Sequence, residues 1–177
     1  MAALLYPTLI LDVDGTMTDG GLYLDDGGTQ TKRFDVTDGS GIKFFQRAGG
    51  TVAFLTGKSS GVVDHRAAEL GVSFVMQGAL DKSAGLTELL KRMNVPPEKV
   101  AYMGDDLPDI PAMARCGYRL VPANAAAEVK SVAHFVTPAP GGHGAVRQAV
   151  EHLLQQAGAW DEILARYLGR PAPEAAR

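Results

Sequence analysis

The sequence predicts an α/β protein with a mostly parallel, doubly wound sheet, and three observations carry that reading. Short apolar runs without helical period, Leu9-Ile10-Leu11, Val52-Ala53-Phe54-Leu55 and Val100-Ala101-Tyr102-Met103, stop at polar or glycine-containing turns, as buried parallel strands do. Stretches at amphipathic spacing separate them, such as Leu86, Leu89, Leu90 and Met93. Strand and helix patterns alternate without an internal repeat, and such crossovers belong to parallel sheets.

Taken in order, the first strand ends in Asp12-Val13-Asp14-Gly15-Thr16. Two carboxylates at the carboxyl end of a strand stand where open α/β sheets gather ligands. For this stretch alone, an acidic loop that merely caps the strand is the alternative. Residues 20–36 read as an inserted β-hairpin, two short strands about the turn Asp25-Asp26-Gly27-Gly28. Its Leu22, Tyr23, Leu24 and Phe34 bury too little to stabilise it alone, so it is expected to pack on the domain or on another subunit. A helix through Lys43, Phe44, Phe45 and Arg47 follows, with Thr37 or Asp38 as its N-cap and Gly49-Gly50 closing it.

The second buried strand leads into Thr56-Gly57-Lys58-Ser59-Ser60, where hydroxyls and free backbone N–H groups at a helix start suit an anion. After a third strand, Val72-Ser73-Phe74-Val75-Met76, Asp81 caps a helix that carries Lys82 in its first turn and stops at Pro96-Pro97. The fourth strand delivers Gly104-Asp105-Asp106-Leu107-Pro108-Asp109. A short helix through Ile110 and Met113, a strand Tyr118-Arg119-Leu120-Val121, a helix from Ala125 to Val132 and a strand His134-Phe135-Val136 come next. Gly141-Gly142-His143-Gly144 opens the last long helix, Trp160 to Tyr167 marks another, and residues 170–177 read as a flexible tail behind one domain spanning 1–169.

Composition narrows the function classes. The 17 Lys and Arg against 20 Asp and Glu leave a net charge of −3, so no basic face argues for nucleic acid or an anionic membrane. No apolar stretch approaches spanning length and no signal-peptide pattern opens the chain, so a cytoplasmic protein is expected. Cys116, the single cysteine, cannot form an internal disulfide, and its place just before Gly117 reads as a packed residue.

The Asp12-Val13-Asp14-Gly15-Thr16 stretch resembles the nucleophile motif of the haloacid dehalogenase-like phosphatases, a Rossmannoid superfamily. Leu55-Thr56-Gly57, Lys82 and Gly104-Asp105-Asp106-Leu107-Pro108-Asp109 match its remaining motifs in the same order. Each piece has a plainer reading alone: a helix-capping threonine, a solvated lysine, an acidic turn. The four in order, each at a strand end or helix start, point to phosphate-ester chemistry.

Such hydrolysis needs a nucleophile, a proton donor for the leaving alkoxide and compensation of phosphoryl charge. The resemblance implies Asp12 as nucleophile, forming an aspartyl-phosphate, and Asp14 as acid and then base. It implies Mg²⁺ held by Asp12, the backbone carbonyl of Asp14 and Asp105, with Asp106 or Asp109 orienting these ligands. Thr56, the Gly57 N–H and Lys82 would hold the phosphoryl oxygens. Dehalogenation is disfavoured by Asp14, since a halide leaving group needs no proton.

Only the hairpin and one helix fit between Asp14 and Thr56, and only a helix and a strand between Thr56 and Lys82, so no cap domain is expected. The chain is similar over nearly its whole length to the capless 3-deoxy-D-manno-octulosonate 8-phosphate phosphatase family. The carriers are residues 12–20, Phe34-Asp35-Val36-Thr37-Asp38-Gly39-Ser40-Gly41-Ile42, Gln77-Gly78, residues 104–109 and Gly141-Gly142-His143-Gly144-Ala145-Val146-Arg147. The resemblance implies a phosphorylated 2-keto-3-deoxy sugar acid as substrate and a homotetramer whose hairpins assemble and whose sites are completed by a neighbour. Lys58 departs from the arginine usual after Thr-Gly in that family; relatives acting on nine-carbon sugar acids carry an acidic residue there. Lys58 keeps a positive charge for a sugar carboxylate but loses the bidentate fork, and Arg66 is a second candidate contact. Other readings are a nine-carbon sugar acid phosphate or other small phosphate monoester as substrate, and a non-catalytic tetramerisation module.

Overall fold

The computed structural model describes residues 3–169. In chain order the elements are β1 (Thr8–Leu11), β2 (Tyr23–Leu24), β3 (Gln30–Thr31), α1 (Val36–Arg47), β4 (Thr51–Leu55), α2 (Gly61–Leu70), β5 (Phe74–Met76) and α3 (Lys82–Met93). Then come β6 (Val100–Met103), α4 (Ile110–Met113), β7 (Tyr118–Val121), α5 (Ala127–Ser131), β8 (Phe135–Val136), α6 (Ala145–Gln156) and α7 (Trp160–Leu168). The sheet order is β5-β4-β1-β6-β7-β8 with every pairing parallel, while β2 and β3 form a separate antiparallel hairpin.

Alternation along the strands sorts side chains to two faces. Leu9, Leu11, Val52 and Phe54 pack with α1, α2 and α6, whereas Ile10, Ala53, Leu55 and Tyr102 pack with α3, α4 and α5. Both faces are therefore covered by helices, which is why these strands read as continuous apolar runs. The chain moves outward from β1 through β4 to β5, then returns to β6 on the other side of β1. That reversal is a topological switch point, where open α/β sheets gather ligands beyond the carboxyl ends of the strands.

Several local readings are corrected. The N-cap of α1 is Asp35, not Thr37 or Asp38: its carboxylate accepts from the Thr37 backbone N–H at 2.7 Å. Asp38 is instead buried and accepts from the backbone N–H of Arg147 at 2.8 Å, capping α6, whose own Gly144 has no side chain to do so. The third strand starts at Phe74, because Val72 donates to the Ala67 carbonyl and closes α2. Asn94, in the left-handed region, ends α3 before the prolines. The hairpin ladder holds only two residues per strand, with Leu22, Tyr23 and Leu24 at 62, 46 and 64 % exposure while Phe34 turns onto the core. Between Asp14 and Thr56 lie only the hairpin, α1 and the sheet strand β4, and between Thr56 and Lys82 only α2 and β5. Cys116 is buried, and burial pushes its thiol up to about 12. The expected tail, 170–177, lies outside the described residues.

Candidate active site

The switch point brings β1 and β6 side by side, with Leu11 paired to Met103. The next residues, Asp12 and Gly104-Asp105, therefore emerge together, and the Asp12 N–H donates to the Met103 carbonyl at 2.9 Å. Oxygens of Asp12, Asp105 and Asp109 lie within 4.8 Å of one another. Asp12 and Asp109 are 4 and 0 % exposed, so their charge is held in a medium that screens poorly.

Lys82 answers part of that charge. Its Nζ, carried in by the first turn of α3, sits 2.8 Å from Asp12 Oδ1 and 2.6 Å from Asp109 Oδ1. Burial pulls this ammonium down, but Asp12 and Asp109 outweigh it and hold it above its ordinary range. The carboxylates remain in excess: burial first, with Asp109 adding repulsion, pushes Asp12 upward against the pull of Lys82. Asp105 is pushed upward as well, again chiefly by burial.

Asp109 is fully committed. Its Oδ1 accepts from Lys82 and, at 2.8 Å, from the Tyr102 hydroxyl; its Oδ2 accepts from the Asp105 and Asp106 backbone N–H groups at 3.2 Å each. Asp106 is exposed and caps the turn Leu107–Asp109, donated to by the Leu107 N–H at 2.8 Å. Asp105 is steadied by the Thr16 hydroxyl at 2.9 Å, and Gly15, at φ +91°, leaves room for its carboxyl. With Asp109 so engaged, Asp12 and Asp105 are the carboxylates with capacity left for a cation. Their hard oxygen donors fit Mg²⁺.

Asp14 lies at the rim with its side chain a quarter exposed, paired to Lys32 Nζ from the hairpin. Thr56 is buried beyond β4, and Gly57 follows in the turn before α2, whose N-cap is Ser60. Lys58, Leu80, Asp106 and Leu107 are exposed, in the segments that follow β4, β5 and β6. Arg66 is occupied elsewhere: it pairs with Glu69 at 2.8 Å, donates to the Asp35 carbonyl at 3.1 Å and lies over Phe34. Arg147 packs over Phe44 and Trp160 of its own chain, while His143 is exposed in the glycine-rich loop.

That loop closes on the first one. The Asn124 side chain donates to the Gly15 carbonyl at 3.1 Å and accepts from the Gly141 N–H at 2.7 Å. A Cβ on Gly141 would stand 1.9 Å from the Gly15 carbonyl oxygen, so only glycine fits there. Sequence reading missed Lys32, Tyr102, Thr16 and Asn124. Tyr102 alone carried a signal, a hydroxyl in an otherwise apolar buried strand that must find a partner.

A strand end that carries Asp12 and, two residues on, Asp14, with the buried Lys82 and the aspartate cluster gathered at the switch point, is the arrangement of a haloacid dehalogenase-like hydrolase. The family model of the haloacid dehalogenase-like hydrolases matches residues 67–149. Among curated proteins, the chain is 40 % identical over 154 residues to the 3-deoxy-D-manno-octulosonate 8-phosphate phosphatase KdsC of Escherichia coli K12, covering 87 % of this chain and 82 % of that one. Among solved structures, a probable YrbI family phosphatase from Pseudomonas syringae superposes with a TM-score of 0.90 at 40 % identity, covering 93 % of both chains. The Moraxella catarrhalis 3-deoxy-D-manno-octulosonate 8-phosphate phosphatase, in complex with magnesium, phosphate and KDO, gives 0.88 at 37 % identity over 91 % of this chain and 92 % of that one. This chain belongs to the 3-deoxy-D-manno-octulosonate 8-phosphate phosphatase family.

Proposed function

We propose that this chain is a Mg²⁺-dependent phosphatase that hydrolyses 3-deoxy-D-manno-octulosonate 8-phosphate through an aspartyl-phosphate on Asp12. The observation that carries the reading is the buried Lys82 bridging Asp12 and Asp109 beside Asp105. This arrangement is costly to bury, and it supplies the phosphoryl-transfer parts together. A non-catalytic tetramerisation module has no use for it.

Asp12 attacks phosphorus, and the ester P–O bond breaks with its electron pair on the leaving oxygen, which takes a proton from Asp14. Water then gives a proton to Asp14 and attacks the aspartyl-phosphate, so that Asp12 departs as a carboxylate and inorganic phosphate is released. Mg²⁺, held by Asp12, the Asp14 carbonyl and Asp105, supplies the charge that lets a carboxylate approach a phosphate dianion. Of the three Lys82 donors, two are on Asp12 and Asp109, leaving one for a phosphoryl oxygen, with Thr56 and the Gly57 N–H for the others. Asp109 fixes Lys82 and the Asp105 backbone; Asp106 holds the turn.

Lys58, exposed at the rim, meets the sugar carboxylate; Arg66 reaches a substrate only by releasing Glu69. The exposed Leu22, Tyr23 and Leu24 support a homotetramer in which hairpins pack together and a neighbour covers the open site. Among the described residues no helix is long and apolar enough to cross a membrane, in keeping with a cytoplasmic enzyme of a small sugar acid.

The test is phosphate release, with Mg²⁺ and with EDTA, from the eight-carbon sugar acid phosphate, its nine-carbon analogue and 4-nitrophenyl phosphate. Selective, Mg²⁺-dependent turnover of the first is expected. Preference for the nine-carbon acid would reassign the substrate at Lys58, and absence of turnover on all three would sink the catalytic reading.

A further inference from the structure

The hairpin is exposed along most of its length, yet one of its side chains is not. Lys32 is 2 % exposed at its side chain, while its neighbours Thr31 and Arg33 are exposed. Burying an ammonium is expensive without a partner, and among the described residues its ion pair is with Asp14 Oδ1. The hairpin has other ties to the body. Arg33 donates to the Gly142 carbonyl, Thr18 bridges Phe34, and Phe34 packs on the core. Lys32 is therefore not needed merely to moor the hairpin.

Asp14 needs such a partner. Its carboxyl stands at the open rim on a turn, a quarter exposed, without the web of donors that fixes Asp109. An unrestrained aspartate there samples several rotamers, and a misplacement of about 1 Å in a proton donor costs on the order of 100-fold in rate. We propose that Lys32 is the positioning residue of the acid–base group: it grips Asp14 by Oδ1, leaving Oδ2 to hand a proton to the departing ester oxygen and then take one from water. This deepens the reading of Asp14 as acid and base and rests on it.

The step it serves is leaving-group protonation, so the effect of losing Lys32 depends on the leaving group. A sugar alkoxide needs the proton; 4-nitrophenolate leaves without it. The experiment compares Lys32→Met and Lys32→Arg with the parent protein by kcat/KM, which reports events through leaving-group departure, and by pre-steady-state release of nitrophenol. For Lys32→Met, kcat/KM on the sugar acid phosphate is expected to fall by about 10- to 100-fold while that on 4-nitrophenyl phosphate stays within about 3-fold. Nitrophenol then appears as a burst, because water attack on the aspartyl-phosphate still needs Asp14 as base. Lys32→Arg, which keeps a donor and a charge, recovers part of the loss.

A double-mutant cycle adds the second criterion: in an Asp14→Asn background, Lys32→Met changes the residual sugar-phosphate turnover less than about 2-fold, since the two act as one unit. Equal falls on both substrates, or additive losses in the cycle, would mean that Lys32 serves the fold, and unchanged turnover that it serves neither; each overturns the inference. If the parent protein hydrolyses none of the substrates, the catalytic reading itself fails, which is a distinct outcome.

Discussion

Gly15→Ala tests whether the Asp105 carboxyl is held where the chemistry needs it. A Cβ at Gly15 would stand 2.1 Å from Asp105 Oδ2, 2.7 Å from its Cγ and 2.9 Å from Oδ1. An ordinary carbon–oxygen contact is about 3.3 Å, so the carboxyl must retreat by roughly 1.2 Å or the turn must yield. Retreat strains the bond from the Thr16 hydroxyl, and alanine at φ +91° costs about 1–2 kcal/mol in its own right. For a protein of this size that lowers Tm by about 2–8 °C. A shift of about 1 Å in a metal-ligating carboxylate lowers kcat/KM by roughly 100-fold, about 2.7 kcal/mol of barrier. The Mg²⁺ concentration for half-maximal activity should rise by about 10-fold or more. The assay is phosphate release against Mg²⁺ concentration, beside a thermal melt that establishes a folded variant. A folded Gly15→Ala protein with kcat/KM within about 3-fold of the parent and an unchanged Mg²⁺ dependence would refute the geometry.

Lys82→Met leaves two buried carboxylates without their cation. Stability measured in EDTA should fall by on the order of 3–5 kcal/mol, part of it recovered by Mg²⁺, and kcat by at least about 100-fold. Replacing Leu22 and Leu24, exposed on the hairpin and outside the core, by Asp should break the proposed homotetramer into smaller species by light scattering while leaving the sheet folded. Burial, above all, pushes the Asp38 carboxyl up to about 6, against about 4 in an unfolded chain. The fold thus favours its protonated form, and that contribution, full below pH 4, is lost as pH rises through 6. Asp38→Asn should match the parent near pH 4 and exceed it by up to about 3 kcal/mol at pH 7; a pH-independent difference in melts would contradict this.

The parts of fold and site that were legible in the sequence are those written at strand ends. Strand β6 was readable to the residue because it is buried on both faces and its apolar run is unbroken; β7, half-buried at Tyr118 and Arg119, was bounded by Gly117 and Pro122. Asp12, Asp105 and Lys82 could be placed because each follows such a run or opens a helix. What stayed hidden depends on contacts distant in sequence. Lys32 looks like its neighbour Arg33 until the hairpin folds back over Asp14, 18 residues away. Asp38 mimics a local cap but serves a helix 109 residues on, and Asp35, equally suited, took the local role. Arg66 has the charge for a substrate contact, but Glu69, Phe34 and the Asp35 carbonyl claim it.

The central claim is that Asp12 carries the phosphoryl group, and a rapid-quench experiment with radiolabelled sugar acid phosphate addresses it most directly. The account predicts a transient acid-stable, base-labile label on the parent protein, mapped by peptide analysis to Asp12, and neither label nor turnover in Asp12→Asn. Phosphate release by folded Asp12→Asn at the parent rate, or a label mapping to another residue, would contradict it.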